Sequence, residues 1–431
     1  MISDKNLSQH LDDILEKCIK CGLCLPVCPT YSLTLDERSS PRGRIQLMHA
    51  VHHGKMGISK IFVNEVYFCL DCQACETACP AGVHYGELVE NARDFISSRK
   101  KDSTSFKILK NILLKYILPS RPATKLAARM FEFYERIGLR EAVEKSGILT
   151  LFSDALNEKH AMIPHFDKIF FDDQYSERIT PESELQGRVA FLTGCIMNVT
   201  MSDIHRDVLE VLLRNGYEVI IPHDQVCCGS LHAHNGELEY AKNLAIKNIE
   251  IFEKYKYDAI IVDSAGCSAF MKEYGKIFKD DRIYGDRAME FSSKVKEITE
   301  FLAEKSYKTP ITPMNLKVTY HEACHLVHTQ KISMQPRQIL KSIPGIELVE
   351  MNEATWCCAS AGIYNVIRYE ESMKILDRKM KNIQETGANV VATSNPGCHL
   401  QIIYGIKKRQ LNMEVLHPVS LLARAYKNDL S

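Results

Sequence analysis

The sequence predicts an α+β multidomain protein with an α-helical, cysteine-rich N-terminal domain and a duplicated α/β domain with parallel strands. Three observations predict this architecture. One cysteine run occurs twice near the N-terminus, a different cysteine pattern occurs twice further on, and short β-type runs alternate with helical patterns in that second region. We therefore divide the chain into a domain over residues 1–98, a helical connector over 99–187, and two repeats over 188–308 and 309–431.

The overall composition is that of an ordinary globular protein of 431 residues. Its 54 Lys and Arg residues balance 54 Asp and Glu residues, which argues against a nucleic-acid-binding protein. The sequence has no run of about 18 apolar residues and its first residues lack the apolar core of a signal peptide, so we expect a cytoplasmic protein. Because cytoplasmic thiols stay reduced, the 16 cysteines indicate metal ligands or redox centres and not disulfides.

The first cysteine pattern is C-x2-C-x2-C-x3-C-P, at residues 18–29 and again at residues 69–80. This spacing is typical of bacterial ferredoxins with two [4Fe–4S] clusters, where three cysteines bind one cubane and the fourth turns towards the other. Zinc is the alternative, but zinc sites usually pair C-x2-C units across a longer gap. The predicted ligands are Cys18, Cys21, Cys24 and Cys79 for the first cluster, and Cys28, Cys69, Cys72 and Cys75 for the second.

The segment between these two runs is long for a ferredoxin and contains Pro41-Arg42-Gly43-Arg44. Arg42 and Arg44 could contact a cluster edge, a partner or an anionic group, but we favour a solvated basic loop. The prolines that follow the fourth cysteines, Pro29 and Pro80, are expected to stop helix continuation there.

The second cysteine pattern is a single cysteine, an adjacent pair and another single cysteine. It occurs twice, with matching positions offset by about 130 residues, which indicates an internal duplication. β-type runs precede the single cysteines at 188–191, 258–262, 317–320 and 388–392, and helical patterns cover 205–213 and 242–254. Cysteines just past strand ends fit an open α/β sheet, whose sites lie beyond the carboxyl ends of the strands. The two sets are Cys195, Cys227, Cys228 and Cys267, and Cys324, Cys357, Cys358 and Cys398.

Adjacent cysteines are awkward ligands for one tetrahedral ion but suit a cluster, whose irons offer several separated ligand points. Each set has enough ligands for one further iron–sulfur cluster, so we expect such a cluster in one repeat or in both. Zinc, and free buried thiols left after the duplication, are the alternatives. Histidines that could substitute are His223, His232 and His234 in the first repeat, and His321, His325 and His399 in the second.

Taken in order, these motifs resemble the family of iron–sulfur subunits of bacterial glycolate oxidase over nearly the full length of the chain. The motifs that carry the resemblance are CIKCGLCLPVCPTY (18–31), SPRGRIQLM (40–48), CLDCQACETACPAGVHYGEL (69–88), VCCGSLHAHNGE (226–237), HEACHL (321–326), CCASAGIYN (357–365) and NPGCHLQ (395–401). More loosely, the chain is similar to subunits of anaerobic glycerol-3-phosphate dehydrogenase and heterodisulfide reductase.

The resemblance implies an electron-transfer subunit of an oxidoreductase complex that is inactive alone and has no catalytic residue. An FAD-containing partner subunit would oxidise a 2-hydroxy acid such as glycolate, and this chain would pass the electrons towards quinone. The sequence agrees in lacking a G-x-G-x-x-G that opens a helix. The alternative function is redox chemistry at the repeated cysteines, as in a heterodisulfide-reductase-like or glycerol-3-phosphate dehydrogenase subunit.

The sequence departs from the patterns of these families in two respects. Ala359 follows the second cysteine pair where the family has Gly, as Gly229 follows the first pair, so a modest backbone change is expected at the second site. Phe270 and Gln401 occupy positions that are cysteines in heterodisulfide reductases, three residues after the last cysteine of each set. This weakens the case for disulfide chemistry.

Residues 106–118 form a basic amphipathic pattern, with Ile108, Leu109, Ile112 and Tyr116 on one helical face. Such a helix can lie on an anionic membrane, which would place the protein at the inner face of the cell membrane. More often, an apolar stripe of this kind packs on its own domain or on a partner subunit.

Overall fold

The N-terminal part is entirely helical in the computed structural model, which describes residues 5–99, 111–151 and 153–429. Its helices are Lys5–Glu16, Pro29–Thr34, Pro41–His52, Lys60–Phe68, Ala74–Thr77 and Tyr85–Arg99, with a 3-10 turn at Glu37–Ser39. The apolar faces of these helices enclose a small core that includes Ile14, Phe62 and Val89. Most of the cysteines lie in the connections between these helices, and Cys75 lies in the short helix Ala74–Thr77.

Local sequence signals explain where several helices begin. Ser40 accepts a hydrogen bond from the Gly43 N–H, and Pro41 follows it as the first helical residue. Cys28 precedes Pro29 in the same way. Pro29 therefore begins a helix, which corrects our expectation that it only stops one, because the first helical turn needs no N–H from proline.

From residue 111 onward, where the structure describes it, the connector contains a π-helical turn and three helices before the chain reaches the first repeat. These elements are Ile112–Ile117, Arg121–Arg136, Leu139–Ser146 and Asp154–Ala161, followed by a 3-10 turn at Phe171–Asp173 and the short strand β1 at Arg178–Ile179. Residues 106–110 of the predicted basic amphipathic pattern, including Ile108 and Leu109, lie outside the described residues, whereas Ile112 and Tyr116 are described and exposed.

The first repeat alternates strands and helices, as predicted. Its strands are β2 (Gly187–Leu192), β3 (Tyr217–Ile220), β4 (Ala259–Val262) and β5 (Val295–Glu297). Its helices are Met197–Thr200, Ser202–Arg214, Ser230–Ala233, Leu238–Phe252, Ala265–Lys272, Tyr274–Ile277, Gly285–Lys294 and Ile298–Glu304.

The second repeat has the same plan. Its strands are β6 (Leu316–Tyr320), β7 (Ile346–Val349), β8 (Val390–Ala392) and β9 (Glu414–Leu416). Its helical elements are the π-helical turn His325–Thr329 and the helices Met334–Ser342, Tyr364–Ile367, Tyr369–Glu385, Pro396–Lys408 and Pro418–Asn428.

The sheet topology confirms the duplication. The strand order is β3-β2-β4-β5 in the first repeat and β7-β6-β8-β9 in the second, and all of these neighbours are parallel. The first sheet also carries β1 on its outer edge, antiparallel to β3. This edge strand comes from the connector and departs from the purely parallel sheet that we expected; a mixed sheet with an antiparallel edge is common.

The two repeats share one hydrophobic core. The helix Ser202–Arg214 of the first repeat packs on the C-terminal helix Pro418–Asn428, and the buried side chains of both sheets join the same cluster. Strands β3 and β4 are buried along their whole length because helices cover both faces of the sheet. This packing sets the carboxyl ends of β4 and β8 against each other.

Candidate iron–sulfur sites

The first N-terminal site lies close to the surface. Cys18, Cys21, Cys24 and Cys79 line one small cavity of about 30 Å³, with Cys75 also on its wall. The backbone between the first three cysteines turns through left-handed residues at Lys20 (φ 59°) and Gly22 (φ 89°). Cys21 is exposed. The structure therefore brings together the four residues that the sequence assigns to the first cluster.

The second N-terminal site is more deeply buried. The Cys69 Sγ accepts hydrogen bonds from the Asp71 N–H (3.3 Å) and the Tyr85 Oη (3.6 Å). Asp71 (φ 54°) and Gln73 (φ 57°) repeat the left-handed turns of the first run. Burial raises the pKa of the thiols of Cys72 and Cys75, and neighbouring cysteines add to the shift. Thiolates that accept hydrogen bonds are the ligands that iron–sulfur clusters need.

Arg44 is not part of a solvated loop, which corrects that interpretation. It lies in the helix Pro41–His52 and is 1% exposed. Its Nε donates to the Glu65 carbonyl oxygen (2.7 Å) and its Nη2 to the Thr30 Oγ1 (3.0 Å). The Cys28 Sγ lies 3.3 Å from the same Thr30 hydroxyl. The guanidinium therefore supplies a buried positive charge beside the second N-terminal site.

Arg42 has a related role at the first site. Its Nη1 donates to the Lys20 carbonyl oxygen (2.9 Å), and its Nε bonds to Glu37 (2.7 Å). It also lines the cavity of the first site. Both arginines thus hold segments that carry the cysteines; contact with a cluster edge or a partner, the alternative to a solvated loop, stays a prediction.

In the first repeat, the cysteines follow the carboxyl ends of adjacent strands. Cys195 comes after β2, the pair Cys227–Cys228 after β3, and Cys267 after β4. The Sγ atoms of Cys195 and Cys227 are 3.6 Å apart. The neighbouring Cys227 thiol and burial raise the pKa of Cys195 well above its ordinary value. The predicted four residues come together, and a cation would relieve the cost of ionising them.

The second repeat presents its cysteines in the same way after β6, β7 and β8. The Ala359 N–H donates to the Cys357 Sγ (3.3 Å), and the Asn395 side chain donates to the Cys398 Sγ (3.6 Å). Ala359 adopts φ 66°, while Gly229 at the matching position adopts φ 94°. Both are left-handed, with φ 28° smaller at Ala359, so the backbone difference between the two sites is modest here; Ala359 takes a conformation that L side chains rarely adopt.

A buried lysine faces the second set of cysteines. Lys379 is 0% exposed, and its Nζ donates to the carbonyl oxygens of Glu353 (2.7 Å) and Ala354 (3.1 Å). Burial lowers the pKa of Lys379 to about 8, and the nearby cysteine sulfurs oppose that shift. The Lys379 ammonium has no carboxylate partner among its hydrogen bonds to the described residues, and a thiolate-bound iron–sulfur cluster would supply a negative charge beside it. The residues present therefore fit such a group.

The two sets of repeated cysteines open onto one cavity. Its volume is about 960 Å³, and all eight repeated cysteines line it together with Cys69 and Cys72. The segments that lead into the helices of the last cysteines contact each other, because the Ala265 N–H donates to the Ser394 carbonyl oxygen (3.0 Å). Gly266 N–H donates to the Asn395 side chain (3.1 Å) across the same contact. The two repeated sites therefore face one another.

An ion-pair cluster joins the N-terminal domain to the first repeat. His234 Nδ1 lies 2.8 Å from Glu90 Oε1 and 3.2 Å from Asp71 Oδ2. Although burial opposes protonation, these two carboxylates raise the pKa of His234 to about 10. Arg93 donates to the carbonyl oxygens of Cys69 (2.6 Å) and His234 (2.8 Å). These contacts fix the second N-terminal site against the repeats.

Sequence reasoning identified the cysteines but not these charged neighbours. Asp71, Arg93 and Lys379 carry no motif, and only His234 was considered, as a substitute ligand. Among the other histidines considered, His223 is exposed, whereas His321 is fully buried beside cysteines.

Family models and curated relatives agree with this geometry. A model described as "4Fe-4S dicluster domain" matches residues 14–83, and one described as "Cysteine-rich domain" matches 189–272 and 318–403. A third, "Glycolate oxidase iron-sulfur subunit, linker region", matches residues 106–163. The "Probable glycolate oxidase iron-sulfur subunit" of Bacillus subtilis is 38% identical over 99% of both chains. The chain belongs to the family of glycolate oxidase iron–sulfur subunits.

Other relatives extend the same picture. The "Glycolate oxidase iron-sulfur subunit" of Escherichia coli is 29% identical over 91% of this chain and 90% of its own length. One of the subunits of the CoM/CoB fumarate reductase of Methanothermobacter marburgensis is 36% identical over 56% of this chain and 47% of its own. Like its family, the chain has an electron-transfer role that depends on multiple iron–sulfur clusters.

The architecture also resembles a solved structure. A hypothetical protein from Helicobacter pylori aligns with a TM-score of 0.56 at 9% identity, covering 100% of this chain and 75% of the other. This similarity supports the fold alone. Within the described part of the chain, no helix has the length and apolar character needed to span a membrane.

Proposed function

We propose that this chain is the electron-transfer subunit of a flavin-dependent 2-hydroxy-acid dehydrogenase, with glycolate as the substrate of its partner. The observation that carries the proposal is the continuous series of cysteine sites. It begins at the surface near Cys21 and ends in the cavity between the two repeats. A chain that holds clusters and no flavin needs an electron donor, and an FAD-containing subunit is the donor that the family relationship favours.

The proposed ligand sets follow the sequence assignments. Within the division of the chain proposed above, two sites belong to the domain over residues 1–98, none belongs to the connector over 99–187, and one belongs to each of the repeats over 188–308 and 309–431. The ligand sets are Cys18, Cys21, Cys24 and Cys79; Cys28, Cys69, Cys72 and Cys75; Cys195, Cys227, Cys228 and Cys267; and Cys324, Cys357, Cys358 and Cys398. [4Fe–4S] clusters at the first two sites, and further iron–sulfur clusters at the repeated ones, would supply one-electron carriers.

Electrons enter at the first N-terminal site in this proposal. Cys21 is exposed, and Ile19 (67%) and Leu23 (56%) expose large apolar side chains beside it. Exposed apolar groups around a redox site are typical of a docking surface for a redox partner. We therefore assign the flavoprotein contact to this face.

From the N-terminal domain, electrons pass first to the second repeat. Cys72 packs in the same buried cluster as Cys324 and Cys357, together with Leu70 and Trp356. Buried apolar surroundings keep water away from this passage. The first repeat then lies across the shared cavity.

Quinone is the acceptor that we propose for the shared cavity. Much of the wall beyond the cysteines is apolar, with Val63, Leu113, Met162, Ile196 and Leu400 among the side chains that line it. Tyr364, which also lines the cavity, is only 6% exposed, and its hydroxyl has no hydrogen-bond partner. Such a donor suits a quinone carbonyl oxygen, since ligand sites combine apolar walls with a few polar groups.

We also propose that the protein works at the inner face of the membrane, where quinone is dissolved. The helix Arg121–Arg136 has an outer stripe formed by Leu126, Met130 and Phe133, and Ile137 continues it. Their exposed fractions lie between 51% and 66%. The exposed Arg129 and Arg136 flank this stripe. Apolar side chains beside cations are complementary to an anionic lipid surface.

Co-purification with metal analysis and pre-steady-state reduction would test the electron-transfer function. The chain and its co-purified flavoprotein are isolated without oxygen, mixed with glycolate, and followed by cluster absorbance and EPR. Iron near eight per chain means that only the N-terminal sites are filled, whereas about twelve to sixteen supports one or both repeats. Reduction by glycolate that needs no flavoprotein would contradict the proposal.

Variants then assign the sites. Cys228→Ser and Cys358→Ser each remove a proposed ligand from one repeat, so each should lower the iron content and leave the N-terminal EPR signals intact. A normal iron content in either variant would remove that repeat from the series. Ser268→Ala serves as the matched control, because Ser268 follows Cys267 directly and its hydroxyl bonds to the Ala265 carbonyl oxygen and the Gln330 side chain but to no cysteine.

A further inference from the structure

The second repeat contains a histidine that its structure leaves without a partner. His321 immediately follows β6 and is 0% exposed. Neither of its ring nitrogens makes a hydrogen bond. The nearby Ala354 carbonyl oxygen already accepts bonds from the Glu322 N–H (3.2 Å) and from Lys379 (3.1 Å). A buried imidazole with two unused nitrogens is costly unless a further group binds it.

This histidine lies among the cysteine sulfurs. A nitrogen of His321 and the sulfurs of Cys358 and Cys398 all lie within 4.8 Å of one another, and all three residues are buried. Cys358 comes from the loop after β7 and Cys398 from the first turn of the helix Pro396–Lys408 after β8, so three separate segments converge on one point. An imidazole and thiolates at such spacing form a mixed nitrogen–sulfur donor set that iron or zinc accepts.

The first repeat has no equivalent residue. The position that matches His321, three residues before the first cysteine, is Leu192. The histidine nearest to its cysteines is His232, which donates through Nε2 to the Leu114 carbonyl oxygen and stacks on Tyr240. One ring nitrogen of His232 is therefore held by the backbone and only its Nδ1 lacks a partner, whereas both ring nitrogens of His321 lack one within the described part of the chain.

We propose that His321 is a ligand of the metal centre in the second repeat, which makes this centre a mixed histidine–cysteine site. The inference rests on the proposed ligand set of that repeat. A neutral imidazole ligand raises the reduction potential of an iron–sulfur centre relative to purely thiolate ligation. Lys379 adds a positive charge beside the same sulfurs. The second repeat then holds electrons more tightly than an all-cysteine site, which favours their transfer from the neighbouring Cys72 site.

The decisive measurement is pulsed EPR of the reduced full-length protein, grown with natural and with 15N-labelled histidine. The expected result is a nitrogen hyperfine coupling as strong as that of a nitrogen bound directly to iron. The coupling should change when the histidine carries 15N in place of the natural isotope. It disappears in His321→Leu, which introduces the side chain of the matching Leu192, and the midpoint potential of the affected signal shifts to a more negative value. His232→Leu is the matched control and should retain the coupling.

The outcomes separate this inference from the wider proposal. A coupling only of hydrogen-bond strength, or one that is lost in His232→Leu and retained in His321→Leu, overturns His321 as a ligand while the electron-transfer function stands. If Cys358→Ser leaves the iron and zinc content unchanged, the second repeat holds no metal and both ideas fail there. If His321→Leu does not fold, the isotope comparison on the wild-type protein decides. Absence of a nitrogen coupling as strong as that of a directly bound nitrogen then overturns the inference.

Discussion

His325 and Asp71 connect the loops of two cysteine sites directly. The His325 Nε2 donates to the Asp71 carbonyl oxygen at 2.9 Å. Asp71 lies between Cys69 and Cys72, and His325 follows Cys324. Burial and the neighbouring His234 lower the pKa of His325 to about 4, so the ring is neutral near pH 7 and carries the proton on the nitrogen that donates.

Replacing His325 by Phe should weaken this connection and slow electron transfer from the N-terminal domain to the second repeat. The buried carbonyl oxygen of Asp71 would lose a donor, at a cost of about 1–3 kcal/mol in the stability of the domain contact. Stopped-flow reduction followed at two cluster signals measures the transfer. Thr329→Ala is the control, because it removes another hydrogen bond across this interface, to Gln73. Equal slowing in both variants would contradict the specific role of His325.

Arg44→Met should unfold or empty the second N-terminal site. The substitution removes the guanidinium that lies 3.8 Å from the buried Glu65 carboxylate, and breaking a buried ion pair costs about 3–5 kcal/mol. We expect a lower melting temperature and loss of iron from the N-terminal domain. Arg38→Met is the control, since its pair with Asp36 is exposed and should contribute at most about 1 kcal/mol. Equal behaviour of the two variants would refute the role of Arg44.

Much of the fold was predictable because the strands that precede the single cysteines are short, apolar runs. Strands β2, β4, β6 and β8 lie where the sequence places them. The other strands, β1, β3, β5, β7 and β9, were not identified. β5 and β9 contain only three residues, and β1 contains two, so their sequences show no recognisable period. Their pairing depends on the sheet that receives them.

The sequence likewise predicted one part of the candidate sites, the cysteines, and missed another part, the charged residues around them. The spacing of the cysteines along the chain was enough to predict which of them share a site, because short, regular spacings limit which sulfurs can reach one bound group. The charges around the sites depend on contacts between distant segments. Arg93 bonds to His234, 141 residues away in sequence, and Lys379 reaches backbone carbonyls 25 and 26 residues before it. A basic residue in a helix gives no sign that it will be buried, because most are solvated.

Glu297 and His417 should give opposite pH dependences of stability. They cap equivalent helices at the ends of β5 and β9, and the Glu297 Oε1 lies 3.9 Å from the His417 Nε2. Burial raises the pKa of Glu297 to about 7 from 4.5 and lowers that of His417 to about 4 from 6.5. The folded protein thus retains a proton on Glu297 that the unfolded chain loses, and stability falls as the pH rises from 4.5 to 7. For His417 the sign reverses, and stability rises between pH 4 and 6.5.

Single substitutions separate these two contributions. Glu297→Gln should be more stable than the wild type at pH 8 by about 1–3 kcal/mol, and the advantage should shrink towards pH 5.5. Between pH 5.5 and 6.5, the contribution of His417 makes the wild type more stable as the pH rises. His417→Gln should lack this contribution. Melting temperatures measured without oxygen between pH 5.5 and 8 test both expectations. A pH-independent difference for Glu297→Gln would show that the carboxyl group is ionised in the folded protein.

Tyr364→Phe should weaken acceptor binding without changing the iron content. The substitution removes a single buried hydroxyl and keeps the ring, so the cavity retains its shape. Loss of one hydrogen bond to a quinone oxygen corresponds to about 0.5–1.5 kcal/mol, or up to about tenfold in affinity. The test is the concentration dependence of cluster reoxidation by a short-chain quinone. Tyr404→Phe is the control, because that hydroxyl is already bonded to Glu158 and Tyr369. Unchanged reoxidation in Tyr364→Phe would exclude this residue from the acceptor site.

Replacing Leu126 and Phe133 together by Gln should release the protein from anionic membranes. Both side chains belong to the exposed stripe of the helix Arg121–Arg136, and Arg129 and Arg136 flank them. Full burial of such side chains contributes about 1.5–3 kcal/mol each, so partial insertion of two should change vesicle binding by tenfold or more. Flotation with phosphatidylglycerol and phosphatidylcholine vesicles at low and high salt measures this. The control is Ile283→Gln, a side chain 69% exposed elsewhere. The membrane assignment is wrong if the wild-type protein does not bind vesicles. If the double variant then also fails to co-purify with the flavoprotein, the stripe is a contact with that subunit.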